Sequence, residues 1–246
     1  MTEPQPIIQL DRITYRIGDV SIISDLSLDV AAAETLVLLG ESGCGKTTTL
    51  KLINRLIEPT SGTARVDGKA TSEWDAIELR RRIGYVLQEG GLFPHFTIRE
   101  NVGLVPRLLK WDQVRIEART DEILDLVNLP AARFADRYPH ELSGGQRQRV
   151  GVARALVADP DIVLLDEPFG ALDVLTRRSL QKEFASMVRE MGKTAVFVTH
   201  DLHEAKLLGN RIALMEKGKI VFLGTPDEFS GSDLPLATAY LETIAV

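Results

Sequence analysis

The octapeptide Gly40-Glu41-Ser42-Gly43-Cys44-Gly45-Lys46-Thr47 limits what this chain can fold into more than any other stretch. It follows Thr35-Leu36-Val37-Leu38-Leu39, an apolar run expected of a strand covered on both faces. It opens a segment from Lys46 to about Leu56 that reads as a helix, stopped before Pro59. The glycines permit a tight strand-to-helix turn whose backbone N–H groups converge on an anion, and the helix N-terminus adds its dipole. The spacing is that of the phosphate-binding loop. Gly40, Ser42, Gly43, Cys44 and Gly45 are expected to cradle phosphates. Lys46 is expected to reach the β- and γ-phosphates, Thr47 to offer its hydroxyl to Mg²⁺, and Thr48 to add a phosphate contact. Cys44, the single cysteine, has two readings: a small residue that fits, which is preferred, or a thiol activated by the helix N-terminus. Under either, alkylation would block the loop by bulk.

The remainder alternates strand and helix patterns. Ile7–Leu10, Ile13–Ile17, Val20–Ile23 and Ser27–Val30 read as short strands, with Gly18-Asp19 as a turn. Further strands are expected at 61–68, 83–87, 162–166, 194–199, 211–215 and 220–223. Helices are expected at about 111–128, 145–157, 174–191, 202–208 and 236–244. The alternation predicts a mainly parallel sheet with helices on both faces, interrupted by a helical insertion. The 246 residues fit one large domain or two small ones, and 44% hydrophobic content excludes disorder as the main theme. A net charge of −6 offers nucleic acid no overall attraction. No apolar run approaches the length of a membrane span, and the N-terminus lacks the pattern of a signal peptide.

Ile162-Val163-Leu164-Leu165 runs directly into Asp166-Glu167. Ligands of doubly wound sheets gather at the carboxyl ends of strands. Asp166 is therefore the candidate Mg²⁺ ligand, and Glu167 the candidate general base for an attacking water.

Leu142-Ser143-Gly144-Gly145-Gln146 resembles the signature of ATP-binding cassette (ABC) ATPases, and the other motifs follow in that family's order. The resemblance implies an α/β P-loop NTPase (RecA-like) core with an N-terminal antiparallel β-subdomain and an inserted α-helical subdomain. It implies one ABC ATPase domain over 1–246, with 1–88 and 152–246 as nucleotide-binding core and 89–151 as helical signature subdomain. Ser143, Gly144, Gly145 and Gln146 would meet the nucleotide of a second cassette in a head-to-tail homodimer or paired cassette. Tyr15 would stack on adenine, although a strand tyrosine also serves as core. Gln88 would contact Mg²⁺ and the attacking water, His200 the γ-phosphate, and Asp173, in Ala171-Leu172-Asp173, would communicate between the two sites. The implied cofactors are ATP and Mg²⁺.

Without a membrane span, the resemblance points to a separate transmembrane permease, an extracytoplasmic substrate-binding protein, and a peripheral place on the cytoplasmic face of the inner membrane. No nucleic-acid partner is expected. Gly91-Leu92-Phe93-Pro94-His95-Phe96-Thr97-Ile98 is either core or a surface offered to a membrane partner. Pro168–Asp173 is similar to the importer form of its segment. Ile83–Gln88 followed by Gly91–His95 is similar to glycine betaine/choline (osmoprotectant, quaternary amine) importer cassettes. Cassettes of polar amino-acid or lipid transporters, and soluble non-transport ABC ATPases, remain as alternatives. After the last strand only about residues 224–246 follow, so no separate sensing module is expected.

Overall fold

The computed structural model describes residues 6–88, 91–170 and 174–243, with backbone alone at 174–176. In chain order its elements are β1 (Ile8–Ile17), β2 (Val20–Val30), β3 (Thr35–Leu39), α1 (Lys46–Ile53), β4 (Ser61–Val66), β5 (Lys69–Ala70), α2 (Ala76–Arg82) and β6 (Ile83–Val86). Then come α3 (Ile98–Val102), α4 (Leu104–Leu108), α5 (Gln113–Leu126), α6 (Ala131–Phe134), α7 (Gly144–Leu156), β7 (Ile162–Asp166) and α8 (Val174–Glu190). The chain finishes with β8 (Thr194–Thr199), α9 (Leu202–Leu208), β9 (Arg211–Glu216), β10 (Lys219–Gly224), α10 (Pro226–Ser230) and α11 (Pro235–Glu242). Two compact units result: Met1–Arg80 with Val188–Val246, and Arg81–Met187.

The first unit carries the four-stranded antiparallel order β2-β1-β4-β5. The four short N-terminal strands expected from sequence are two long ones. Bulges at Arg12 (φ 48) and Asp25 (φ 52) let each strand continue through its polar interruption. Ser27 Oγ accepts from Arg12 N, and Thr14 Oγ1 from Asp25 N, so the groups freed by the irregularities stay bonded. The same unit carries the order β10-β9-β3-β8, with β3 parallel to β8 and β9, and β10 antiparallel to β9. Leu36, Val37, Leu38, Leu39, Val196 and Phe197 are wholly buried, which accounts for the continuous apolar runs of β3 and β8. Helix α1 stops at Ile53, earlier than expected. Arg55 adopts φ 53, and Asn54 Oδ1 accepts from Leu56 N.

The second unit pairs β6 with β7 in parallel and surrounds them with α3 to α7. Helix α7 packs against α3, α5 and β6 through an apolar face that includes Val150, Ala153 and Leu156. Helix α2, which bridges the two units' sequence boundary, went unread. Its signal was Asp75, whose Oδ1 accepts from both Ile77 N and Glu78 N, as an N-cap does. Among the described residues no helix is long and apolar enough to cross a membrane.

Candidate nucleotide site

In the first unit, β3 ends at Leu39 and the chain turns through Gly40 to Gly45 into α1. Gly43 (φ +82) and Gly45 (φ +109) hold conformations that side chains disfavour. A Cβ at Gly45 would stand 2.5 Å from Ile23 Cδ1, so the loop lies tight against β2. A Cβ at Gly43 would meet nothing within 4 Å, so that crest is open. Glu41, Ser42 and Gly43 are exposed, while Cys44, Gly45 and Lys46 are buried beneath them. Gly45 caps α1 without a side-chain acceptor, and no acid occupies the first turn. That is the electrostatic arrangement an anion requires.

Lys46 Nζ, 5% exposed as a residue, donates to Gly40 O at 2.7 Å and Glu41 O at 2.9 Å. The loop's own carbonyls thus hold its one buried cation beside the crest. Burial pushes the Cys44 thiol up; the Lys46 charge acts in the opposite sense and is outweighed. The small-residue reading of Cys44 therefore stands over the activated thiol.

Two other expected residues lie in this unit. Leu39 of β3 is in register with Thr199 of β8, so Gly40 and His200 follow the carboxyl ends of adjacent parallel strands. His200 is exposed. Behind it, Thr199 Oγ1 bonds both Glu204 and Asp201 N, which shapes the turn that presents the ring. Tyr15 of β1 pairs with Ile23, the residue against which Gly45 is packed. Tyr240 of α11 was not anticipated. Its hydroxyl is pushed up to about 12 by burial and by Cys44 and Glu41, which sets it in the field of the loop.

In the second unit, Val86 of β6 is in register with Leu165 of β7. Two residues after each of these, just past the strand ends, come Gln88 and Glu167. Gln88 Nε2 donates to Glu167 Oε2 at 3.5 Å. Glu167 has φ 43, a costly backbone conformation for a residue with a side chain, immediately after the strand. Asp166 is 7% exposed and accepts from Tyr85 Oη at 3.4 Å. Burial, then the Asp166 charge and its hydrogen bond, raise the Tyr85 phenol well above the usual range. Tyr85 escaped the sequence reading because it resembles one more aromatic in a buried strand.

Ser143 N-caps α7 in a capping box. Ser143 Oγ accepts from Gln146 N at 3.3 Å, and Gln146 Oε1 accepts from Ser143 N at 2.9 Å. Ser143 and Gly144 are exposed at that terminus. Asp173, with Ala171 and Leu172, lies outside the described residues. Among those described, no group of three or more His, Cys, Asp or Glu side chains could hold a metal by itself. The candidate donors, Thr47 hydroxyl, Gln88 amide and Asp166 carboxylate, are hard oxygens. They suit Mg²⁺, which takes few protein ligands and arrives with phosphate oxygens and water.

A strand–glycine-loop–helix phosphate cradle, a strand ending in two acids and a helix opened by exposed Ser143 and Gly144 define a nucleotide-binding cassette of the P-loop class. The ABC transporter profile matches residues 23–170, and the chain belongs to that family. It is 54% identical over 211 residues to the glycine betaine/carnitine/choline transport ATP-binding protein OpuCA of Bacillus subtilis (strain 168), covering 86% of this chain and 55% of the relative. It is 52% identical over 215 residues to the choline transport ATP-binding protein OpuBA of the same strain, covering 87% and 56%. The chain thus spans about half the length of these curated relatives. The ATP-binding cassette MJ0796, solved as a dimer in a post-hydrolysis state bound to ADP and Pi, superimposes with a TM-score of 0.79 at 35% identity, covering 89% of this chain and 98% of that one.

Proposed function

We propose that this chain is the ATP-hydrolysing subunit that energises an importer of glycine betaine/choline-type osmoprotectants. The observation that carries the hydrolytic part is the Gln88–Glu167 pair at the ends of two parallel strands, beside the buried Asp166. It is a carboxylate and an amide in direct contact, so that one water could be bound by both from the same side. Glu167 acts as general base, with Gln88 and His200 orienting the water. The loop amides, Lys46 and the start of α1 offset charge on the transferred phosphoryl group, so most of the catalysis is electrostatic positioning. Thr47, Gln88 and Asp166 are the residues that would hold Mg²⁺, which supplies charge neutralisation at the β- and γ-oxygens when bound.

Ser143 and Gly144 lie exposed and Gly145 half-buried at the start of α7, and we assign them to the nucleotide of a second cassette in a head-to-tail dimer. The dimeric state of the MJ0796 cassette supports this. Residues 89–151 form the signature subdomain within this reading, and Asp173 communicates between the paired sites. Phe93 is 41% exposed and meets Phe96 at a tilt, and Phe96 itself meets His95 edge-on. This aromatic turn is the face offered to a separate membrane permease, which holds the chain at the cytoplasmic side of the membrane. The transport functions named for the Bacillus relatives support the osmoprotectant class, with an extracytoplasmic binding protein delivering cargo.

The test is co-purification of the tagged chain with its membrane subunits, followed by Mg-ATP hydrolysis in vesicles with and without glycine betaine or choline. Stimulation by either compound is expected. Recovery with ribosomes and no membrane subunit overturns the assignment.

A further inference from the structure

The turn that carries Phe93, His95 and Phe96 is held from two helices. From α3, Asn101 is wholly buried and uses its entire amide. Its Oδ1 accepts from Phe93 N at 2.8 Å, and its Nδ2 faces the carbonyls of Phe93, Phe96 and Thr97 at 3.1, 3.1 and 3.0 Å. Because Phe93 N is a donor and the other three groups are acceptors, the orientation of the amide is determined by its partners. One side chain therefore closes the turn on itself and makes it move as a body. From α7, Arg154 Nη1 donates to Gly91 O at 2.8 Å. Arg154 is half-buried, and burial holds its guanidinium below its ordinary pKa, while the bond to Gly91 O itself lies at the surface. Gly91 in turn lies three residues after Gln88.

Helix α7 begins beside Ser143 and runs to Leu156. Arg154 and Ser143 are separated by about 16 Å of continuous helix at the standard rise. Buried Val150, Ala153 and Leu156 fix that helix to its neighbours along this length. A displacement of the aromatic turn is thus passed through Gly91 O to one end of α7, whose other end is the Ser143 terminus.

We propose that Arg154 is a positioning residue for coupling: its bond to Gly91 O joins the aromatic turn to the signature helix, so that a load on the turn is delivered to Ser143. The inference rests on the reading of that turn as the permease-facing surface. In this assignment Arg154 acts through the helix and not on the nucleotide.

The experiment compares wild type, Arg154→Met and Arg154→Lys, each co-purified with its membrane subunits and assayed in vesicles with glycine betaine. Arg154→Met keeps the buried aliphatic volume and removes the donor. It is expected to bind the membrane subunits normally and to keep its unstimulated hydrolysis and KM for ATP within about 2-fold, while the betaine-stimulated increment falls about 10-fold. Arg154→Lys retains a donor for Gly91 O and is expected to recover part of that increment. A stimulated rate in Arg154→Met equal to wild type overturns the inference. So does a parallel fall of unstimulated and stimulated rates with a lowered Tm in both variants, the mark of a purely structural role. A wild-type chain that neither binds membrane subunits nor responds to betaine removes the permease reading itself, and the inference with it.

Discussion

Lys46 Nζ donates to Gly40 O at 2.7 Å, so the cation of the phosphate loop is held by the residue that opens that loop. The bond is short, buried and charge-assisted, and Glu41 O accepts a second hydrogen bond from Lys46 Nζ. Lys46→Ala leaves both carbonyls without this donor and removes the charge. ATP affinity is expected to fall about 100-fold or more, the loss of a buried charge-assisted contact. Titration with a fluorescent ATP analogue measures it; affinity within about 3-fold of wild type would detach Lys46 from the phosphates.

Glu167→Gln keeps the shape and the neighbour of Gln88 while removing the base. Hydrolysis is expected to fall by about 10²- to 10⁴-fold with ATP binding retained. ATP should then hold the protein as a closed dimer, read by sedimentation with and without nucleotide. Near-normal turnover would take the base role from Glu167.

Tyr85 donates to the buried Asp166, and its phenol stays protonated because burial and that carboxylate raise its pKa. Tyr85→Phe removes one donor from a candidate Mg²⁺ ligand with almost no change of volume. The Mg²⁺ concentration for half-maximal hydrolysis is expected to shift by about 2- to 5-fold, the size of one hydrogen bond. Binding of ATP without Mg²⁺ should not move. An unaltered Mg²⁺ titration would show that Tyr85 serves β6 alone.

Cys44 is 6% exposed and its thiol pKa is raised. The thiolate is the reactive form, so maleimide labelling at neutral pH is expected to be about 10-fold or more slower than for a free cysteine, rising as pH is increased. Once labelled, the protein should no longer bind ATP, and Cys44→Ser should be indifferent to the reagent. Rapid labelling at pH 7 would restore the activated-thiol reading.

Glu183 accepts from Arg149, Asn128 and Ser179 at 2.6, 3.0 and 2.9 Å. Burial alone would raise its carboxyl, but these hydrogen bonds and the Arg149 charge outweigh that and hold it below its ordinary value. A depressed folded-state pKa gives stability that is present above the unfolded value, near about 4.3, and is lost as pH falls through the folded value. The pair is partly exposed, so Glu183→Gln is expected to cost only about 0.5–1 kcal/mol at neutral pH. The gap in Tm between wild type and variant should hold from pH 7 to 5 and shrink below about 4.3. A gap that widens in acid would contradict the assignment.

The cradle was legible from residues alone because its chemistry is local. Glycines at 40, 43 and 45 between an apolar run and a helix leave the backbone few alternatives, and Lys46 and Thr47 follow at fixed offsets. The strand Ile162–Asp166 and the cap at Ser143 were legible for the same reason. The two long bulged strands β1 and β2 were not. A one-residue slip inverts the side-chain alternation, so each looked like two short strands until the cross-strand pairing joined them. Tyr85, Asn101, Arg154 and Tyr240 carry no motif. Tyr85, Arg154 and Tyr240 acquire their roles from partners distant in sequence, namely Asp166, Gly91 O, and the loop at Glu41 and Cys44, and Asn101 from how the nearby Phe93–Phe96 turn folds back on it. The local chain thus specified which chemistry is present, through conformations that only certain residues tolerate. Which side chains steady that chemistry was decided by strand register and helix docking, where burial makes each polar group find a partner.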